Sequence, residues 1–369
     1  MRKKIVIFGH YGVPNWGDEA ILAGILSQIN IANFSITVIS HNPKFTKKNH
    51  NVNSLPPPPF GIRSFFSFNW IKTISTIKEA DYIIIGGGGL WQPKPLKAIK
   101  LWNFYLQVCL FFNKKIFSLG TSFSVLSEKQ QAEQEEKNNI KYKKLIKKTA
   151  KLLQKIKFFS VRDKKSKNIL KNTYNIHTAK ISTTADSAFF LEPNQLKSKS
   201  KTILLSMREG DLNKEQEKVI LQSLYKKFNP KIYQYKFLVM QSHQSQDEKF
   251  VTRHHKNISV IYPQNIKELL KIISHAEFIC SSRLHANILA SICNTKFLAI
   301  SCRDKVKNLF HKNLPENIIE NIHIKNTKKS AKNIETHIEN ISKNFTEKNE
   351  HFLAIQKKRL EHFFPDILL

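Results

Sequence analysis

The chain has 369 residues, 41% of them apolar, which is more than one hydrophobic core usually holds and predicts two domains. Sixty Lys and Arg against 28 Asp and Glu leave a formal charge of +32, which favours polyanionic partners: nucleic acid, an anionic membrane surface or an acidic glycan. The lysines are spread along the chain beside abundant Asn and Ile, as an A- and T-rich coding sequence would also produce, so charge alone does not choose among these partners.

In chain order, KKIVIFG (3–9) predicts a strand, EAILAGILSQI (19–29) a helix with apolar residues at 21, 22, 25, 26 and 29, and SITVIS (35–40) a second strand. SLPPPPFG (54–61) predicts an extended loop, because consecutive prolines neither continue a helix nor donate to a ladder. ADYIIIGGGG (80–89), KKIFSLG (114–120) and FFSVRD (158–163) read as further strands, and LWNFYLQVCLFF (101–112) as a core helix, with a helix lying on a membrane surface as the alternative. That helix is interrupted by Asn103 and Gln107 and is well short of the roughly 20 residues of a membrane span. Residues 127–156 form a charge-dense stretch expected to give one or two solvated amphipathic helices. Residues 192–201 have the composition of a linker.

After the linker the pattern restarts with TILLSMREG (202–210), YKFLVMQSH (235–243), NISVIY (257–262), the helix NIKELLKIISHA (265–276), EFIC running into SSRLHANILASI (277–292), and KFLAIS (296–301). Continuous apolar strands separated by helices indicate parallel sheets covered on both faces. The expected fold class is therefore α/β, with two Rossmann-like doubly wound domains at 1–191 and 202–325 and a helical tail at 326–369. Ile334, Ile338, Ile341 and Phe345 form one stripe of that tail, which is expected to dock back on the first domain. Ligands of such folds bind at the carboxyl ends of the strands, so a substrate cleft fed by those loops is expected.

Several residues stand at the predicted strand ends. Arg283 and His285 fall in the first turn of a helix, where the partial positive charge of the N-terminus disfavours cations by up to about 1 kcal/mol. Such a violation points to an anion site, because an arginine beside helix N–H groups binds carboxylate or phosphate strongly. Arg208, closing the first strand of the second domain, is a second candidate, and Ser282 adjoins the first. In GHYGVPNWGDEAIL (9–22) the glycines match neither a dinucleotide fingerprint nor a GK[ST] phosphate loop; Asp18 and Glu19 either cap the helix or hold an acceptor hydroxyl as ligand or base. GGGGLWQ (86–92) offers bare backbone at Gly87 and Gly88, then Trp91 and Gln92, a combination suited to a sugar ring or simply to a tight turn. Arg162 is expected to pair with Asp163, and Asp186 to cap or to accept an interdomain hydrogen bond.

Cys109, Cys280, Cys293 and Cys302 show no ligand spacing and read as reduced thiols of a cytoplasmic protein; His243, His254 and His255 lack metal-ligand spacing, so no metal is expected. The N-terminus lacks the pattern of a secretory leader. No nucleic-acid module accompanies the charge, and nucleic acid is not an expected partner.

Taken together, G-x-Y-G-x-x-N-x-G-D-E-A-I-L, D-x-I-I-x-G-G-G-G-L-x-Q, S-V-R-D-x-x-S-x-x-x-L, A-D-S-A-F and S-x-R-L-H-A-x-x-x-A resemble the polysaccharide pyruvyltransferase family, in order from about residue 5 to 310. The resemblance implies a glycosyltransferase-B-like fold and transfer of a pyruvyl group from phosphoenolpyruvate to a sugar diol of a cell-surface polysaccharide, as a cyclic ketal with release of phosphate. It implies that Arg283, Leu284 and His285 form the donor-binding motif, with Arg208 a second donor-binding arginine and Asn15 part of the first motif. Phosphoenolpyruvate is then a substrate and no cofactor is expected; the partner is a glycan or lipid-linked glycan, and in the second case the charge of +32 is expected to hold the protein in peripheral contact with an anionic membrane. The alternatives are a nucleotide-sugar-dependent glycosyltransferase of the same fold and a non-catalytic polyanion-binding protein.

Overall fold

The computed structural model describes residues 2–61, 70–93, 95–127, 130, 136–193, 199–242, 247, 249–250, 258–302, 304–319 and 327–365. The chain divides into two compact units, one of Met1–Val13, Ile21–Phe190 and Lys357–Leu369, the other of Pro14–Ala20 and Leu191–Gln356. These differ from a simple division at the 192–201 segment in two places: Pro14–Ala20 groups with the second sheet, and the chain from Lys357 with the first. Residues 194–198 of the expected linker lie outside the described residues.

The first unit is built on a seven-stranded parallel sheet in the order β3-β2-β1-β4-β5-β6-β7. Its strands are β1 (Lys3–Phe8), β2 (Phe34–Ile39), β3 (Asn53–Leu55), β4 (Tyr82–Trp91), β5 (Lys115–Phe123), β6 (Phe158–Val161) and β7 (Ile181–Thr183). Ile83, Ile84 and Ile85 of β4 are at most 1% exposed, as expected of a central strand covered on both faces. The crossover helices are α1 (Trp16–Gln28), α2 (Pro43–His50), α3 (Ile71–Glu79), α4 (Leu96–Phe111), α5 (Glu136–Leu153) and α6 (Lys164–Asn172). Asn42 caps α2, accepting from Phe45 N at 3.1 Å, with Pro43 preset for the first turn. Asp163 caps α6 through Ser166 N at 2.7 Å rather than pairing with Arg162.

Two short strands, β3 and β7, depart from the sequence reading: residues 54–55 of the proline loop pair with β2, and Ile181–Thr183 closes the sheet edge. Strand β4 also does not stop at its glycines. Gly87 and Gly88 take φ of +68° and +73°, the register with β5 shifts between Gly88 and Trp91, and the strand continues through this bulge to Trp91.

The second unit holds a six-stranded parallel sheet in the order β10-β9-β8-β11-β12-β13. Its strands are β8 (Thr202–Ser206), β9 (Gln234–Leu238), β10 (Ser259–Ile261), β11 (Phe278–Ser281), β12 (Lys296–Ile300) and β13 (Ile318–Ile319). The helices are α7 (Lys214–Lys227), α8 (Ile266–His275), α9 (Leu284–Ile292), α10 (Asp304–Phe310) and most of α11 (Thr327–Leu360). A reciprocal capping box between Asn213 and Gln216 starts α7, and Asn265 caps α8. The α11 stripe is buried as its spacing predicts, with Ile334, Ile338, Ile341 and Phe345 at most 4% exposed and Phe345 packed edge-on to Phe297. The final turn of α11 belongs to the first unit, where Arg359 donates to the carbonyls of Arg162 and Thr184 and Phe363 packs edge-on to Phe190.

Candidate functional site

In the second sheet the strand order reverses between β8 and β11, which makes the crevice beyond their carboxyl ends the expected ligand position. The two loops leaving these strands are stitched together. Ser281 Oγ donates to the Ser206 carbonyl at 2.7 Å, and Ser282 N to the same oxygen at 3.1 Å. Ser282 Oγ accepts from Arg208 N at 3.3 Å and donates to Asp211 Oδ2 at 2.8 Å. Arg208 and Arg283, far apart in sequence, thus leave the same switch point on mutually bonded backbone.

Arg283 is the N-cap residue of α9 and makes no side-chain capping bond; its guanidinium forms an ion pair with Asp247, a carboxylate that is fully buried. Asp247 also accepts from Met240 N at 3.0 Å and Gln241 N at 3.2 Å, which ties it to the end of β9. The cation that the helix N-terminus disfavours is thereby offset by a buried anion. No sequence signal singled out Asp247, which lies in a polar run with no motif.

The segment Pro14–Ala20 completes this cluster. Trp16 N donates to the Met240 carbonyl at 2.9 Å, Ser242 N to the Pro14 carbonyl at 2.9 Å, and Asn15 forms an antiparallel bridge with Gln241. Asn15 turns the chain into α1, accepting from Gly17 N at 3.1 Å and donating to Asp18 Oδ2 at 2.6 Å. Gly17 lies against the His285 imidazole so closely that a Cβ there would overlap Nδ1. A single unit therefore holds Asn15, Asp18, Arg208, Ser282, Arg283 and His285. All but the buried Ser282 are partly exposed.

Other expected site residues have different surroundings. Glu19 is fully buried, and Leu284 is 5% exposed within the core, so neither side chain faces solvent. Trp91 is a core residue with no exposed surface, stacked on Phe123 with ring centroids 5.1 Å apart and in contact with Trp102 at 6.1 Å. Its ring offers no open face to a sugar, because the bulged strand carries it inside the sheet instead of ending before it. Gln92 accepts from Ser124 Oγ at 2.6 Å, Gly88 accepts weakly from Ser122 at 3.5 Å, and Gly87 lies against Ile21. These four residues belong to the first unit. Arg162 pairs with Asp186 at 2.9 Å instead of Asp163, and Asp186 also accepts from Ala188 N at 3.1 Å.

The first sheet reverses between β1 and β4, and two histidines that the sequence reading passed over lie beyond strands of this half: His10 after β1 and His41 after β2, their rings 5.6 Å apart. Burial, and then the neighbouring His10, lowers the His41 pKa. Burial pushes the thiols of Cys109 and Cys280 far up and that of Cys293 to about 11, so all three stay protonated and are poor nucleophiles. Among the described residues there is no cluster of three metal-ligating side chains and no helix long and apolar enough to cross a membrane. His243, His254 and His255 lie outside the described residues.

Comparison with solved structures gives the same two-sheet architecture at low identity. The Anabaena HepE protein in complex with UDP and glucose aligns at TM-score 0.57 and 12% identity, over 98% of this chain and 96% of that one. A glycosyltransferase from Rickettsia africae aligns at 0.55 and 12%, over 100% and 96%. The UDP-GlcNAc 2-epimerase of Neisseria meningitidis bound to UDP-GlcNAc aligns at 0.53 and 13%, over 96% and 94%. The fold is thus that of the B-type glycosyltransferases and related epimerases, two parallel α/β sheets with interleaved helices. A search of curated proteins returns no match. The family model of the polysaccharide pyruvyl transferases matches residues 15–304, from the Asn15 turn through the Arg283 and His285 helix, and the chain belongs to that family.

Proposed function

We propose that the protein transfers the pyruvyl group of phosphoenolpyruvate to two hydroxyls of a sugar in a polysaccharide or its precursor, forming a cyclic ketal and releasing phosphate. The observation that carries this reading is the joining of the Arg208 and Arg283 loops through Ser282 at the switch point of the second sheet, with His285 in the first turn of α9. The donor carries a carboxylate and a phosphate, and two arginines on a shared backbone frame match two anionic groups. A guanidinium has five N–H donors in a rigid fork, so Asp247 orients Arg283 from one side for a second anion.

The chemistry then needs a proton on the donor methylene carbon, attack of one sugar hydroxyl on the resulting cationic carbon, and displacement of phosphate by the second hydroxyl. One proton enters the new methyl group and two leave the hydroxyls, one of them ending on phosphate. We assign the anion to Arg208 and Arg283, with Ser282 and Leu284 fixing the backbone of that loop. His285 takes proton donation or the departing phosphate, and Asp18, oriented by Asn15, the acceptor hydroxyls. Glu19, being buried, supports the α1 turn from inside.

A second reading, transfer from a nucleotide sugar, is favoured by the solved relatives of this fold that hold UDP or a UDP sugar. Thermal stabilisation by phosphoenolpyruvate against a panel of UDP sugars separates the two, because a ligand that binds only the folded chain raises its apparent stability by mass action. Stabilisation by phosphoenolpyruvate alone, lost in Arg208→Ala, supports pyruvyl transfer. Stabilisation by a UDP sugar replaces that reading with glycosyl transfer, and equal stabilisation by any polyanion, indifferent to Arg208, replaces both with a non-catalytic binder.

A further inference from the structure

The charge-dense stretch around α5 has no part in the site described above. Within Glu136–Leu153 there are seven lysines and one acid, Glu136. Lys141, Lys143, Lys144, Lys147, Lys148 and Lys151 are exposed, and Lys155 and Lys157 continue the series just beyond the helix. At 100° per residue the six helical lysines fall in one arc of about 160° and extend along roughly 15 Å of axis. Exposed Ile140, at 47%, projects near the middle of the same arc. The opposite face is spoken for: Tyr142 and Leu153 are buried, Leu145, Ile146 and Leu152 pack on the core, and Thr149 accepts from Asn103 of α4 at 2.8 Å.

Some lysines elsewhere on the surface meet carboxylates: Lys4 pairs with Glu79, Lys226 with Glu335, Lys227 with Glu339, and Lys348 with Glu316. Among the described residues none of the ion pairs involves a lysine of α5. Phe111, 82% exposed, ends α4, the helix on which α5 packs. A broad face of lysines with no arginine suits a surface of dispersed negative charge better than the bidentate or stacked contacts by which arginine reads nucleic acid. The exposed apolar Ile140 within that lysine face suits an interface with an acyl interior.

We propose that the lysine face of α5 docks the first unit on an anionic lipid bilayer surface. The attraction is electrostatic, about 1 kcal/mol per lysine near such a surface, and Ile140 supplies apolar contact at the centre. It is independent of the donor and would hold whether the site takes phosphoenolpyruvate or a nucleotide sugar.

The test is flotation of the full-length protein with vesicles of phosphatidylcholine alone and with phosphatidylglycerol added, over a series of salt concentrations. The parent chain is expected to bind only the anionic vesicles and to be released by salt. Lys143→Gln, Lys147→Gln and Lys151→Gln together should weaken that binding on the order of a hundredfold, as three lysines at the per-residue value predict. A matched triple on the other unit, Lys218→Gln, Lys271→Gln and Lys332→Gln, removes the same charge at exposed positions and should change binding by no more than a few fold. Melting of each variant at the parental temperature shows that folding is intact; Ile140→Ala gives a second, uncharged perturbation expected to weaken binding. Absence of binding to anionic vesicles, or equal loss in both triples, overturns the proposal. So does binding of an RNA oligonucleotide or heparin through the same lysines without vesicle binding.

Discussion

The Arg283 and Asp247 pair is a specific energetic claim. Asp247 is fully buried and the Arg283 side chain only 17% exposed, so neither charge can be rehydrated cheaply when its partner is removed. Arg283→Ala leaves a buried carboxylate that, among the described residues, keeps Met240 N and Gln241 N to stabilise it, and Asp247→Ala leaves a largely buried guanidinium beside a helix N-terminus that already disfavours it. Breaking such a pair from either side costs about 3–5 kcal/mol. The double variant removes both charges and should lose little more than one single variant. The expected coupling energy in a double-mutant cycle is therefore at least about 2 kcal/mol, read from urea unfolding of the four proteins with the m-value checked for constancy. Additivity within about 0.5 kcal/mol would refute the pairing and with it the account of how Arg283 is tolerated at the cap.

Four further outcomes follow from particular contacts. Gly17→Ala places a methyl group on the His285 ring, and overpacking of this kind costs about 1–3 kcal/mol; displacement of the imidazole should lower kcat more than it raises the donor KM. Trp91→Ala should destabilise by about 3–5 kcal/mol while leaving the acceptor KM of the folded fraction unchanged, and a raised acceptor KM at parental stability would contradict its burial. Ser282→Ala removes the hydroxyl bonds from Ser282 to Arg208 N and Asp211 while the bonds to the Ser206 carbonyl remain, costs about 1 kcal/mol, and should raise the donor KM in steady-state assays. Because burial and His10 lower the His41 pKa below its ordinary 6.5, the unfolded chain takes up the proton first; stability should fall as pH drops below about 6.5 and level off beneath the lowered value. His41→Asn should flatten that part of a pH series of melting curves.

Much of the architecture is legible from hydrophobic pattern, because a parallel sheet covered on both faces requires continuous apolar strands and these stand out between helical stretches. What escapes is short or polar. Strands β7 and β13 have three and two residues, too few for any period to register. Helix α2 buries only Thr46 and so carries no apolar stripe, although its start is written in Asn42 and Pro43. The burial of Trp91 is not legible either, because four glycines look like the end of a strand, whereas here positive φ at Gly87 and Gly88 forms a bulge that the strand passes through.

For the site, Arg283 and His285 are visible as a local contradiction, cations where a helix dipole disfavours them. Their setting is not, since Asp247, Asp211 and the Asn15 turn come together only through the tertiary structure. The exchange of Pro14–Ala20 into the second unit is the least foreseeable feature, because its cause is backbone pairing with residues 240–242, which leaves no side-chain pattern.

The central claim is pyruvyl transfer from phosphoenolpyruvate, and it is tested most directly by incubating the protein with labelled phosphoenolpyruvate and a panel of polysaccharide and lipid-linked glycan acceptors, following phosphate release and label on the glycan together. The account predicts phosphate and glycan-bound pyruvate in equal amounts, both lost in Arg208→Ala. Free pyruvate without label on any glycan, or release of UDP from a UDP sugar with no reaction of phosphoenolpyruvate, would contradict it.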